Sequence, residues 1–389
     1  MYTFENNHNG LVFIKKDNSS GVMAFKIDSS GVGIKIQDEH FSNRSVLNVD
    51  NLAFIYLFYC QKGDCLATEG YLKFSNNGQQ TVVQCPINYP CINPVNSLSN
   101  KCTNNGVAYY DYNNRSFNIC VNNKAKNALT SVTINPGQKN YIFDNYDGKD
   151  NYYLFESDES ANVVGYSRGI GAVLIDVDGD GNNDVMRCYF IDNTKPSVCL
   201  KAVQYGGYYI DLASNNFNDL IYCMNKSCNK KTENNGYYTN SDFDIITCNM
   251  GICIVSSNYQ TSETCNYRNA QLVSLPSAIK PVFCLNNKEI KLLDEESYYT
   301  INNIDARYTY PNVVEGEDTI IVKIDKYSVT QQTTTENGIC YNDNNHTIVD
   351  DEVCSAESGL IKYYCSTICL GCKQTKQSGK YDPYNQPNN

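Results

Sequence analysis

Apolar and polar residues alternate over short stretches along most of this chain, and nowhere do apolar residues recur at helical spacing over a convincing length. Gly21-Val-Met-Ala-Phe-Lys-Ile27, Gly171-Ala-Val-Leu-Ile175 and Thr319-Ile-Ile-Val-Lys-Ile-Asp325 are rich in β-branched and aromatic side chains, which suit a pleated surface. Two signatures recur. One is a pair of apolar residues, a variable residue and Cys, as in Val82-Val83-Gln84-Cys85, Val185-Met186-Arg187-Cys188, Leu220-Ile221-Tyr222-Cys223 and Ile245-Ile246-Thr247-Cys248. The other is Gly-Tyr-Tyr, at Gly207-Tyr208-Tyr209 and Gly236-Tyr237-Tyr238, with a weaker form at Gly70-Tyr71-Leu72. A strand entering at Tyr-Tyr, a polar turn such as Thr239-Asn-Ser-Asp-Phe-Asp244, and a return strand ending in cysteine make a hairpin. The pattern predicts an all-β chain.

Cysteine spacing organises these hairpins. Cys60, Cys65, Cys85, Cys91, Cys102 and Cys120 are separated by 5, 20, 6, 11 and 18 residues. Cys223, Cys228, Cys248, Cys253, Cys265 and Cys284 are separated by 5, 20, 5, 12 and 19. The two frames agree within one residue at every step and lie 162 to 164 positions apart. Flanking residues agree too: Leu57-Phe-Tyr-Cys60 matches Leu220-Ile-Tyr-Cys223, and Cys120-Val-Asn-Asn-Lys124 matches Cys284-Leu-Asn-Asn-Lys288. The chain therefore contains an internal duplication. A unit of about 25 residues is too small to bury a core alone, so neighbours must stack and disulfides must fasten them. The predicted architecture is a disulfide-rich repeat array of short hairpins, β-solenoid-like and elongated. Sequential pairing is the simplest proposal: Cys60 with Cys65, Cys85 with Cys91, Cys223 with Cys228, Cys248 with Cys253. Pairing between neighbouring repeats is the alternative, and one thiol among Cys365, Cys369 and Cys372 is left over.

In this order the chain reads as a β-rich lead segment (1–59), a first cysteine-frame module (60–120), a β segment with an acidic loop (121–200), a second module (201–284), a β/cysteine segment (285–372) and a polar tail (373–389).

Composition sets the compartment. Nineteen cysteines in 389 residues imply an oxidising environment. Only three histidines are present, His8, His40 and His346, and none stands near a cysteine at zinc-finger spacing. Asn18, Asn43, Asn114, Asn225 and Asn345 each begin an Asn-x-Ser/Thr sequon, consistent with a secreted glycoprotein, although an Asn-rich chain also generates such triplets at random. Met1-Tyr-Thr-Phe-Glu-Asn-Asn7 has neither the basic nor the apolar region of a secretory signal, so the chain reads as a piece of a longer protein. The longest apolar run, Leu52 to Cys60, falls far short of the roughly 20 residues of a membrane helix. A net charge of −11 without a Lys/Arg cluster argues against nucleic acid as a partner.

One segment carries a metal signal. Asp176, Asp178, Asp180, Asn182 and Asp184 place oxygen donors on alternate residues, with Gly181 permitting a sharp turn, a pattern suited to a structural Ca²⁺. Arg187 stands where an EF-hand would close with Glu, so Asp184 is the expected closing ligand, in a loop between two strands. The loop resembles the calcium loops of the FG-GAP repeats of integrin-like propellers, in a single copy; an acidic turn without an ion is the plainer reading. Asp144, Asp147 and Asp150 form a looser cluster that reads as a polar turn.

No catalytic motif is present: no Gly-x-Ser-x-Gly elbow, no His-Glu-x-x-His, no phosphate-binding loop. Repetition argues for binding in place of catalysis. Tyr208, Tyr209, Tyr237 and Tyr238 are candidate partner-binding anchors if their rings are exposed, and sheet packing is the alternative. The absence of Trp weakens a carbohydrate-binding module.

The order Gly-Tyr-Tyr, turn, apolar pair, Cys, four residues, Cys, best seen from Cys199 to Cys253, resembles the repeat of scaffoldins from anaerobic gut fungi. That resemblance implies a secreted, non-catalytic cellulosome scaffold whose partners are dockerin domains of plant-wall glycoside hydrolases. The competing expectation is a calcium-dependent cell-surface adhesin or a protein that binds plant polysaccharide.

Overall fold

The computed structural model describes residues 10–375 except 16–21, 28–32, 36–38, 43–54, 62–63, 77, 93–101, 103, 124–127, 147–149, 191–195, 215, 217, 250, 256–263, 266–269, 303–318, 333–338, 350–353, 355–358 and 366–371. Asn18, Asn43, Asp147, Cys369 and the tail beyond residue 375 therefore lie outside the described residues. Every named element is a β-strand. The chain divides into two compact units, Met1–Ala202 and Val203–Asn389.

The first unit is built on a sheet whose strands run in the order Gly171–Ile175, Asp184–Tyr189, Val198–Lys201, Asn151–Ser157, Val163–Tyr166, Gly70–Asn76, Gln79–Cys85, with Tyr141–Asp144 also paired to Asn151–Ser157. The second unit contains the same order: Ile339–Asn342, Leu360–Cys365, Cys372–Thr375, Thr319–Ile324, Ser328–Gln331, Gly236–Thr239, Ile245–Asn249, with Ser297–Asn302 on Thr319–Ile324. Registers agree as well. Tyr71 stands opposite Gln84 on one side and Val164 on the other; Tyr237 stands opposite Thr247 and Val329. Each unit adds a three-stranded sheet, Ala108–Asp111, Ser116–Asn123, Ala128–Thr133 in one and Gln271–Val273, Val282–Leu285, Lys288–Lys291 in the other. The duplication legible in the cysteines thus runs through segments 121–200 and 285–372 as well.

The core of each unit lies between these two sheets. In the first, Phe117, Ile119 and Val121 pack with Tyr71, Phe155 and Val164; in the second, Leu272, Phe283 and Leu285 pack with Tyr237, Val322 and Val329. Such burial contributes roughly 1.5–3 kcal/mol per large apolar side chain removed from water.

Disulfides fasten the hairpins locally. Cys60 bonds Cys65, Cys223 bonds Cys228 and Cys248 bonds Cys253, each pair directly opposed across its ladder. In the second hairpin the two turn residues, Asn225 and Lys226, have φ of 52° and 66°, the left-handed pair that matches strand twist in a two-residue turn. Cys85–Cys91, Cys188–Cys199, Cys102–Cys120 and Cys265–Cys284 are bonded too, and Cys340–Cys354 belongs to the second unit alone. Cys372 is disulfide-bonded and stands across the ladder from Cys365, the position held by Cys188 and Cys199 in the first unit.

The glycine of Gly-Tyr-Tyr, or of its weaker form, faces a cysteine in all three hairpins: Gly70 opposite Cys85, Gly207 opposite Cys223, Gly236 opposite Cys248. A Cβ at these glycines would lie 2.3 Å from Val164 O, 2.4 Å from Thr239 O and 2.9 Å from Val329 O. The adjoining strand's backbone occupies the space a side chain would need.

One ion pair is preserved with its charges exchanged. Lys139 Nζ lies 3.1 Å from Glu156 Oε2, and the glutamate side chain is only 1% exposed. Glu156 stands opposite Tyr141; at the matching register Lys323 stands opposite Tyr298 and pairs with Glu296. Ser167 Oγ donates to Glu156 Oε1 at 2.6 Å. Glu156→Lys alone should destabilise the chain by about 3–5 kcal/mol through unpaired buried charge, and adding Lys139→Glu should restore most of it. Urea unfolding of the two variants checks this, and equal midpoints for single and double would refute the coupling.

Candidate functional site

The acidic loop joins Gly171–Ile175 to Asp184–Tyr189, whose ladder closes with Ile175 opposite Asp184. Gly179 and Gly181 adopt φ of 80° and 88°, letting the backbone wrap around Asp176. The N–H groups of Gly179 and Gly181 donate to Asp176 Oδ1 and Oδ2 at 2.7 and 2.9 Å. Carboxylate oxygens of Asp176, Asp178 and Asp184 lie within 4.8 Å of one another. Of the five residues that the alternation singled out, these three converge. Asp180 and Asn182 are exposed, and Asp180 Oδ1 accepts the Asn182 N–H at 2.8 Å.

The alternating pattern held no sign of Lys201. Its ammonium lies 2.8 Å from Asp178 Oδ2 and 2.6 Å from Asp184 Oδ1. It arrives from the next strand, where Lys201 stands opposite Met186, a neighbour that only strand register reveals. The Lys201 hydrogen bond holds the Asp178 carboxyl below the usual carboxylate range, and Asp178 and Asp184 together hold the Lys201 ammonium above its ordinary value.

As a donor set, three convergent carboxylates fit a hard cation. A Ca²⁺ ion held by Asp176, Asp178 and Asp184 would have to displace the ammonium of Lys201, whose side chain is 41% exposed. At the equivalent place in the second unit, between Ile339–Asn342 and Leu360–Cys365, no such cluster occurs among the described residues. Lys201→Gln should therefore strengthen Ca²⁺ binding, while Asp178→Ala with Asp184→Ala should abolish it. Chelator-competition titration distinguishes the two, and unchanged binding in both would remove the loop as a calcium site.

The four tyrosines are not surface anchors. Tyr208, Tyr209, Tyr237 and Tyr238 are 6, 1, 7 and 0% exposed. Tyr208 packs at 4.6 Å on Tyr222 and 4.7 Å on Tyr238, centroid to centroid. The Tyr209 hydroxyl lies 3.1 Å from Ser241 Oγ, and the Tyr238 hydroxyl donates to Glu233 Oε2 at 2.9 Å. Burial pushes the Tyr208 phenol well up. Strands Gly207–Ile210 and Gly236–Thr239 are buried on both faces, so period-two alternation leaves neither ring wet. Tyr209→Ala and Tyr238→Ala should each cost about 3–5 kcal/mol of stability, read as a fall in urea midpoint. A binding defect at unchanged stability would contradict their packing role.

Asp144 is likewise internal. It is 1% exposed and accepts the Asn122 N–H and the Asn105 amide, both at 2.8 Å. Burial raises its pKa against these bonds. Asp150 is exposed.

Fold and site together define a disulfide-stapled, all-β protein of two like units, one of which carries an acidic loop. In comparisons with known proteins, no family model, no curated protein and no solved structure matches the chain.

Proposed function

We propose that the chain is a non-catalytic piece of a secreted scaffold that docks dockerin-bearing plant-cell-wall hydrolases. The observation that supports this reading is the repetition of one strand order and register in both units, because a duplicated module can offer a duplicated surface to one kind of partner. The disulfide density is compatible with an extracellular protein. No helix among the described residues is long and apolar enough to cross a membrane. With the paired tyrosines buried, the docking surface on this reading lies elsewhere, on the exposed hairpin loops.

A calcium-dependent adhesin or carbohydrate-binding protein is the second reading, favoured by the triad Asp176, Asp178 and Asp184, the one such cluster among the described residues. Calorimetry of the whole chain against a purified dockerin should give a stoichiometry of two dockerins per chain, unaffected by chelator. No heat with dockerin, together with glycan binding that chelator abolishes, would replace the scaffold with the adhesin.

A further inference from the structure

Strand Gly236–Thr239 runs into a tight loop shaped by Asn240, whose Oδ1 accepts the N–H groups of Asp242 and Asp244 at 3.0 and 3.2 Å. Within this loop Phe243 adopts the left-handed φ of 64°. Glycine would occupy that position at least cost. Here it carries a phenyl ring instead, and Phe243 with Thr239 and Ser241 forms one side of a cleft of ≈170 Å³. Lys280, Lys326, Tyr327 and Leu292 line the rest.

In a chain of net charge −11, this cleft is lined by two lysines and by no carboxylate. Lys280 has no ion-pair partner among the described residues. Lys326 lies 2.7 Å from Asp294, whose side chain is 80% exposed, and a solvent-exposed pair of that kind contributes little and exchanges readily. As to size, a cavity of about 150 Å³ accommodates a six-membered ring.

We propose that this cleft binds a carboxylate-bearing sugar, a single uronic-acid ring. The lysines supply charge for the carboxylate, the hydroxyls of Ser241 and Tyr327 supply hydrogen bonds, and Phe243 and Leu292 supply apolar contact for the C–H face of the ring. The inference does not depend on the scaffold reading, since a chain that binds no dockerin could still bind an acidic sugar here.

The test is calorimetric titration of the whole chain with galacturonate, galactose and inorganic phosphate. Galacturonate should bind saturably, galactose at least roughly tenfold more weakly, and Lys280→Ala and Lys326→Ala should each weaken galacturonate roughly tenfold or more, the loss expected for a charge-assisted hydrogen bond. Both variants should keep the parent urea midpoint, because neither lysine is buried. Equal affinity for galactose, tighter binding of phosphate than of galacturonate, no saturable galacturonate binding, or lysine variants that bind like the parent would each overturn the proposal.

Discussion

The constraint on which the rest depends is the glycine that faces a cysteine in the hairpins opened by Gly70, Gly207 and Gly236. The disulfide joins the return strand to the segment just beyond its turn, as in Cys223–Cys228 and Cys248–Cys253. The glycine on the other flank leaves room for a neighbouring strand's carbonyl, 2.3 Å from the place of a Cβ at Gly70 and 2.9 Å at Gly236. An isolated two-stranded hairpin is marginal in water. Closing a six-residue loop covalently removes roughly 2 kcal/mol of unfolded-state entropy, and the glycine lets a further strand add directly to the stapled pair. Staple and close approach together turn small hairpins into the spine of a larger sheet.

Around that spine the two units have diverged where physics allows. The pair Lys139–Glu156 of one unit is Glu296–Lys323 in the other. A reversal of both signs preserves the attraction, whereas a reversal of one leaves like charges in contact, with Glu156 almost wholly buried. The exchange at matched register is independent support for the duplication, since cysteine spacing says nothing about charge.

How much was legible depends on how local each signal is. The tight disulfides are written in spacings of five or six residues and could be read directly. The large sheets were not legible, because Tyr71 pairs with Val164 and Tyr237 with Val329, contacts that no local pattern announces. For the same reason residues 285–372 read as a separate segment. Their strands Thr319–Ile324 and Ser328–Gln331 repeat Asn151–Ser157 and Val163–Tyr166 in topology, but the match is held by apolar packing of Ile320, Val322 and Val329 and by register, neither of which requires a fixed motif. Gly-Tyr-Tyr announces a strand, but whether its rings bind a partner or pack depends on what covers the strand's second face, which the local pattern does not disclose; here both faces are covered.

The acidic loop shows why a motif and a site are different things. Alternating Asp and Gly specify the turn by themselves, because backbone N–H groups of Gly179 and Gly181 bind Asp176 whether or not an ion is present. What decides ion affinity is charge balance. Asp176, Asp178 and Asp184 bring three negative charges within 4.8 Å, and Lys201 returns one positive charge to that group, leaving a formal deficit of two. Lys201 thus lets the loop close without metal while leaving a net attraction for a divalent cation, although it competes for two of the three carboxylates. The residue that sets this balance belongs to the neighbouring strand, so the loop's chemistry is a property of the sheet that carries it and not of the loop sequence alone.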